Sequence, residues 1–397
     1  MDLLFDFVTS FLTERNEDDI FDRLNYQITP FLFVLFSLAN ISKLYIGTAI
    51  NCFTKAEFKG GWIQYAHDYC LIENTYYLRT NESIPLEQET RNEKYINYYQ
   101  ASFWVPFILV LQACSFYVPH LMWRSFNWIT GFQIRAIVTT AKQSASLGIE
   151  ENREKVLQIA RSMFHATQLR HRTLKFLDEQ KFVSWLYLSM KFSYLLLICF
   201  HLAIFKFFIG SLDFAFGFLK YRGEWEESGQ FPRVTVCDFS IHRVGQPVNF
   251  TVECVLPLNM FNEKIFTFFF FWLCLLMAIT TFSIYLWIVR ILNRRTFFRK
   301  LLDVYTRNEY ALWSSSTPGS NDTKTLLSGS EHSSYTRTAD NLSFGPDLRV
   351  VLGLIQDQTG LLFCSNVFRE ICNIKEKSES RNHSALPTSD GDTEDDL

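Results

Sequence analysis

Four apolar blocks, each close to the ~20 residues that a helix needs to cross a bilayer, limit what this chain can become. They fall at 28–48, 104–124, 185–212 and 265–290. The fourth is the most apolar, with FTFFFFWLCLLMAIT at its centre. Phenylalanine supplies 40 of 397 residues and aromatics 17%, a composition that suits lipid better than a compact water-soluble core. Pro30 sits in the opening turn of the first block, where a missing N–H is tolerated. Pro106 and Pro119 lie near the start and end of the second, and Pro119 is expected to kink it.

Two loops beside these blocks each carry a pair of cysteines. Cys52 and Cys70 follow the first block, and Cys237 and Cys254 precede the fourth. Loops of this kind suit an oxidising compartment, where disulfides persist. Four cysteines permit three pairings. Cys52 and Cys254 each adjoin a membrane helix, whereas Cys70 and Cys237 lie farther from one. Pairing near with near gives Cys52–Cys254 and Cys70–Cys237, which lays the loops against each other as one cap. The second loop reads as strand-leaning sequence.

Charge places the same loops on the same side. Arg124–Lys181 holds ten basic residues against five acidic, and Arg290, Arg294, Arg295, Arg299 and Lys300 follow the fourth block. By the bias of Lys and Arg toward the cytoplasm, 125–184 and 291–397 are expected inside. The regions 49–97 and 213–264 each hold five basic and seven acidic residues. The loops at 49–103 and 213–264 are therefore expected outside, with both termini cytoplasmic.

The remaining segments are helical or polar. In Asp2–Thr13, Leu3, Leu4, Phe7, Val8, Phe11 and Leu12 form one apolar stripe. Asp2, Asp6, Thr9, Ser10 and Thr13 lie off it. Such a helix rests on the membrane surface or folds into a pore with its acids toward the ions. MDLLFDF carries acid where a signal would carry base, so no cleaved leader is expected. Glu151–Glu179 has helical periodicity and could touch anionic lipid or pack on its neighbours. Arg294–Leu312 reads as an amphipathic helix, 314–342 as a disordered Ser/Thr-rich stretch, and Leu348–Cys372 as an apolar segment that folds back. The end, ALPTSDGDTEDDL, reads as a solvated acidic tail.

No catalytic grouping is visible: GxSxG, HExxH, phosphate-binding loops and dinucleotide turns are missing from the sequence. A net charge of −3 argues against nucleic acid, and no metal spacing or cofactor motif appears. His165 and His171 read as surface histidines. Lys191 is expected to snorkel from the mouth of the third span. His201 and Lys206 lie deeper, and Lys206 is the better candidate to face water or a partner helix. Two glycosylation sequons, at Asn81 and Asn249, fall in the loops expected outside; a sugar on Asn249 would hinder face-to-face docking of two caps.

Several stretches together resemble one family. They are DDIFDRLN before the first span, CFTKAEFKGGWIQYAHDYC and NTYYL in the first loop, and LQACSFYVPHLMWR in the second span. FPRVTVCDF and CVLPLNMFNEKIF complete them in the second loop. Over Asp18–Val289 the chain resembles the innexins, invertebrate gap-junction subunits related to the pannexins. Tyr98-Tyr99-Gln100 resembles the start of that family's YYQW signature, with the tryptophan displaced to Trp104. Phe53 stands where tryptophan commonly follows the first loop cysteine.

The resemblance implies an all-α membrane protein of four transmembrane helices, with a small disulfide-braced extracellular α/β cap and a helical cytoplasmic domain. It implies a non-enzymatic channel subunit without cofactor, assembled with itself or related subunits into a ring of eight in the plasma membrane. The N-terminal helix (1–27 with its linker) then forms a funnel with Asp2 and Asp6 toward the pore, where a ring of carboxylates favours cations. Hemichannels of adjacent cells then dock through their caps. A single unpaired hemichannel and a non-conducting adhesion or scaffold protein are the alternatives.

Overall fold

The structure is a computed structural model, and it describes residues 18–47, 49–73, 75–78, 83–86, 101–127, 133–145, 149–173, 181–209, 231–316 and 344–384. In chain order the elements are α1 (Ile20–Tyr45), β1 (Asn51–Phe53), α2 (Gly60–Ile72), α3 (Ala101–Asn127), α4 (Ile134–Ala145), α5 (Ile149–Thr173) and α6 (Phe182–Ile209). There follow β2 (Val234–Arg243), β3 (Gln246–Val255), α7 (Pro257–Leu292), α8 (Arg294–Ser316), α9 (Pro346–Thr359) and α10 (Leu361–Ser384). Among the described residues four helices are long and apolar enough to cross a membrane: α1, α3 from Trp104, α6 as far as Lys206, and α7. The described residues are mostly helical, with one small sheet.

The long helices overrun the blocks read from hydropathy, and each extension has a local cause. α1 starts at Ile20 rather than 28 and widens into a π-helical turn over Leu24–Ile28. Pro30, just beyond, supplies no N–H to that turn, and the Thr29 hydroxyl donates to the Leu24 carbonyl at 2.7 Å. α6 starts at Phe182 rather than 185. α7 starts at Pro257 rather than 265, because proline's fixed φ fits a first helical turn. The first loop contains α2, the helical part of the α/β cap that the family resemblance implies, at a position the sequence reading did not specify.

The chain divides into two compact units. One comprises Leu24–Val118 and Ser193–Thr280. Within it, Asn25 Nδ2 donates to Thr280 Oγ1 at 3.1 Å and Trp272 Nε1 to Thr29 Oγ1 at 3.0 Å. Phe33 stacks on Phe269 with centroids 4.1 Å apart. These contacts run α1 and α7 antiparallel. Phe33 also stacks on Phe116 of α3, which in turn stacks on His201 of α6. Two turns from the Phe33–Phe269 pair, the same register brings Asn40 level with Asn262. Both are buried, and among the described residues none of their amide atoms has a hydrogen-bond partner.

The other unit comprises Met1–Arg23, Pro119–Phe192 and Thr281–Leu397. Here α10 packs on α5 and α8, and α9 on α4 and α10. The apolar faces meet through Phe298, stacked on Phe368 at 4.8 Å. The segment expected over Leu348–Cys372 is two helices, broken at Gly360, whose φ of +89° suits glycine and ends α9. That segment does fold back, onto α4, α5 and α8. A run of edge-to-face rings, Trp123–Tyr187–Trp287, joins α3, α6 and α7 at 5.2 and 4.7 Å.

Candidate functional site

The cap is built on an antiparallel sheet of order β1-β3-β2. Val244 and Gly245 form the turn between β2 and β3, with Gly245 at φ +107°. Alternation along the strands puts Cys237, Phe239, Val252 and Cys254 on the inner face. There they meet Phe58, Ala66 and Cys70 from the first loop. Phe239 lies within 6.4 Å of the rings of Phe58, Tyr65, Tyr69 and Phe250.

The structure brings the four loop cysteines together as two disulfides. Cys52 and Cys254 are direct register partners on β1 and β3, and their sulfurs are bonded. Cys70 of α2 is bonded to Cys237 of β2. The sulfurs of Cys52, Cys70 and Cys254 all lie within 4.8 Å of one another. Because each is in a disulfide, none can act as a thiolate metal ligand. One cross-link ties strand to strand and the other ties helix to sheet, so all the layers of the cap are covalently joined.

Polar side chains finish the frame. The Cys52 N–H donates to His67 Nε2 at 3.1 Å. Tyr76, completely buried, exchanges main-chain hydrogen bonds with Val236 and extends the sheet beyond β2. Its hydroxyl donates to Asp238 at 3.3 Å, and Thr251 Oγ1 donates to the same carboxylate at 2.6 Å. At the junction with α7, Arg233 pairs with Glu263 at 3.6 Å and Asn259 donates to the Pro232 carbonyl at 3.0 Å. The sequence reading gave none of these a role, although the motifs it quoted contain His67, Tyr76, Arg233, Asp238, Asn259 and Glu263.

Asn249 lies exposed on β3, with Thr251 exposed two residues on. Asn81 and the predicted pore-facing residues Asp2, Asp6, Thr9, Ser10 and Thr13 lie outside the described residues, and His171 falls on α5. His165 is exposed.

A second constellation lies at the start of α1. Asp18, Asp19 and Asp22 are all buried. Lys191 Nζ lies 2.7 Å from Asp22 Oδ1 and 3.8 Å from Asp19 Oδ2, and donates to Ser283 Oγ at 2.8 Å. The Tyr187 hydroxyl donates to Asp22 Oδ2 at 2.7 Å, and Trp287 Nε1 to Asp19 Oδ2 at 3.1 Å. His120 Nδ1 approaches Asp18 Oδ2 at 3.2 Å. The ammonium also sits 4.9 Å from the Tyr187 ring centre.

This corrects the snorkelling reading of Lys191, whose side chain is completely buried. Its charge is met by carboxylates and a hydroxyl inside the bundle, so it has no need to reach water. Deeper in α6 the other two candidates separate, and the exposed one is Lys206, the residue expected to face water or a partner helix. His201 is buried and hydrogen-bonded to Ser115 at 2.8 Å.

The cluster continues to the C-terminal helices. Arg290 makes a two-point pair with Asp357 at 2.9 and 3.0 Å, its guanidinium 4.5 Å from the Trp287 ring centre. Burial raises the Asp357 carboxyl above its ordinary range, and the Arg290 partner opposes that shift without cancelling it. Gln358 Nε2 donates to the Asp18 carbonyl at 3.0 Å, and Arg23 Nη2 donates to Gln358 Oε1 at 3.2 Å. Asp347 receives both the main-chain N–H and the hydroxyl of Ser184 at 2.9 Å.

Comparison with known proteins gives these features a family. The Innexin family model matches residues 18–374. Innexin unc-9 of Caenorhabditis elegans is 37% identical over 289 residues, covering 68% of this chain and 74% of the relative. Innexin-11 of the same organism is 34% identical over 304 residues, 71% of this chain and 65% of the relative. Innexin eat-5, also from C. elegans, is 29% identical over 383 residues, 92% and 88% respectively. The family match thus begins at Asp18, where the buried acids begin, and takes in both disulfides and the helices that fold back: this chain belongs to the innexin family of gap-junction channel proteins.

Proposed function

We propose that this chain assembles into a ring, an octamer, that docks with the ring of an adjacent cell and passes ions and small molecules between the two cytoplasms. The observation that carries the reading is the cap, two loops cross-linked twice and attached to membrane-length helices. Disulfides persist outside the cytosol and the basic segments flank the opposite ends of the helices, so the cap is external and both termini are cytoplasmic. A cap whose layers are covalently tied presents a surface already ordered for docking, which reduces the entropic cost of association. The ring is closed because a repeated head-to-tail contact closes naturally, and related subunits could share it.

In this reading residues 1–17 form the cytoplasmic entrance, with Asp2 and Asp6 toward the ions and Thr9, Ser10 and Thr13 on the same polar side. One carboxylate per subunit becomes a band of negative charge and favours cations. Asp2→Asn with Asp6→Asn should reduce cation preference; unchanged reversal potentials would remove these residues from the pore.

The decisive experiment compares dye transfer between paired expressing cells with dye uptake by single cells. Transfer supports the junctional reading, and uptake without transfer rejects it. One observation favours that second reading, an unpaired hemichannel: Asn249 is exposed on the cap and heads a glycosylation sequon. A glycan there would stand between two caps, and enzymatic deglycosylation followed by the transfer assay separates the cases. Silence in planar-bilayer recordings would leave an adhesion or scaffold role instead.

A further inference from the structure

α9 carries a buried cation that the fold leaves unpaired. Arg349 is only 7% exposed, and its Nε is sealed from solvent without a hydrogen-bond partner. Among the described residues no carboxylate lies within ion-pair distance of its guanidinium. Asp347, two residues earlier, turns instead to Ser184, whose N–H and hydroxyl both donate to its Oδ1. The half-buried Arg294 of α8 is near enough to repel Arg349. Burial and that repulsion pull the Arg349 guanidinium below its ordinary pKa, and Asp347 opposes them without cancelling. An arginine does not give up its proton in a protein, so the charge stays and calls for an anion.

The register brings the two arginines together. Arg290, near the end of α7, lies against Gly353 of α9, where a Cβ would stand 3.0 Å from its Nη1. Arg294 is about one helical turn on from Arg290, and Arg349 about one turn back from Gly353. α8 adds more charge of the same sign. Arg294, Arg295, Arg299 and Lys300 occupy its first two turns, and Asp303 is its first acid. Positive charge is the wrong sign for a helix N-terminus, whose dipole favours anions. Arg295 and Lys300 are exposed.

Position identifies the source of the anion. α8 begins two residues after Leu292, the last residue of a membrane-length helix, and Leu292 is 72% exposed. The Asp347–Ser184 bonds tie the start of α9 to the start of α6, another membrane-length helix. Next to Ser184 is Trp185, 69% exposed, and tryptophan at the end of a span marks the headgroup level. The arginines are therefore anchored to the ends of two spans, at the depth of lipid phosphates. On the sidedness proposed above this is the cytoplasmic leaflet, where anionic lipids gather.

We propose that Arg349 and Arg294, with Arg295 and Lys300 at the rim, bind the phosphate of an anionic lipid headgroup. The guanidinium offers the phosphate a planar two-point donor, and the exposed bases meet further headgroup charge. The bound lipid neutralises a charge that the protein itself does not. The site involves neither docking nor conduction, so it stands or falls apart from both.

The test uses the purified full chain in detergent, titrated with dioctanoyl phosphatidic acid, dioctanoyl phosphatidylcholine and inorganic phosphate. Native mass spectrometry reads binding, and thermal unfolding reads its effect on the midpoint. Phosphatidic acid should bind and raise the midpoint, and phosphatidylcholine should do neither. Arg349→Met and Arg294→Ala should each weaken phosphatidic acid binding about tenfold, the loss of a charge-assisted hydrogen bond. Arg349→Met should also raise the midpoint of the lipid-free protein, because an apolar side chain replaces an unpaired buried charge. An arginine with a purely structural role would lower it. Undiminished binding in both variants, or a lowered lipid-free midpoint in Arg349→Met, overturns the proposal. Inorganic phosphate that binds as tightly as phosphatidic acid overturns the assignment to lipid and puts a free anion in its place.

Discussion

Lys191 and Asp22 form an ion pair of 2.7 Å in which neither side chain reaches solvent, the first completely buried and the second 2% exposed. Such a pair gains its Coulomb energy against a large desolvation cost, and is tolerable only when the remaining valences are filled. Here Tyr187 fills the second carboxylate oxygen and Ser283 takes another ammonium proton. The pair therefore fixes α1 to α6 and α7 with a set of partners that no single substitution preserves.

Lys191→Met should destabilise the protein by about 3–5 kcal/mol, because it strands a buried carboxylate. Adding Asp22→Asn should recover most of the loss. Thermal unfolding in detergent, followed by tryptophan fluorescence, measures both. A single variant with the wild-type midpoint would show that the pair is solvated.

Cys70→Ser should free Cys237 and remove one of the two links that tie the cap together. The expected cost is about 2–4 kcal/mol, with the Cys52–Cys254 link retained. Thiol counting under non-reducing denaturation should find one additional free cysteine. Normal dye transfer in this variant would show that docking does not depend on the link.

Gly353→Ala should force α9 away from Trp287 and Arg290, since the added methyl meets both at 3.0 Å. Overpacking of this kind costs about 1–3 kcal/mol. The change should appear as a lower unfolding midpoint. Alanine's better helix propensity acts the other way, so an unchanged or raised midpoint would mean that the neighbours yield easily.

Cys364 and Cys372 should resist alkylation in the folded protein. Burial raises both thiols, Cys372 to about 12, and leaves almost no thiolate at neutral pH. Cys364 Sγ also donates to the Leu352 carbonyl at 3.3 Å. A water-soluble maleimide at pH 7.5 should label them only after denaturation. Labelling at free-thiol rates would place them outside the α9–α10 core.

Asn262→Leu together with Asn40→Leu should stabilise the α1–α7 seam. Each asparagine is buried with both amide atoms unpartnered, and an unmet buried donor or acceptor costs about 1–3 kcal/mol. Leucine has similar volume and no polar atoms to satisfy. A lower unfolding midpoint in the double variant would show that the amides bind something there.

Hydropathy made the four membrane-length helices legible, because about twenty consecutive apolar residues have few alternatives to a bilayer. Cysteine placement beside those blocks made the cap legible as a unit. The α2 helix of the first loop was less so: it starts with Gly60 and Gly61, and its polar and aromatic residues do not sort onto separate faces, so its segment has no strong apolar period. Helix ends also escaped the reading, since polar residues such as Asp22 and Asn25 look like loop until their partners are known.

What the sequence determined by itself is the number and place of the apolar helices, the paired-cysteine loops, and a family likeness carried by short motifs. What only the tertiary structure decided is which charges meet. Asp22 finds Lys191 across 169 positions and Arg290 finds Asp357 across 67. Local sequence records how polar a residue is, and it does not record the distant side chain that makes burying it affordable. A lysine at a helix end therefore reads as a group seeking water until the fold supplies the carboxylate that replaces it.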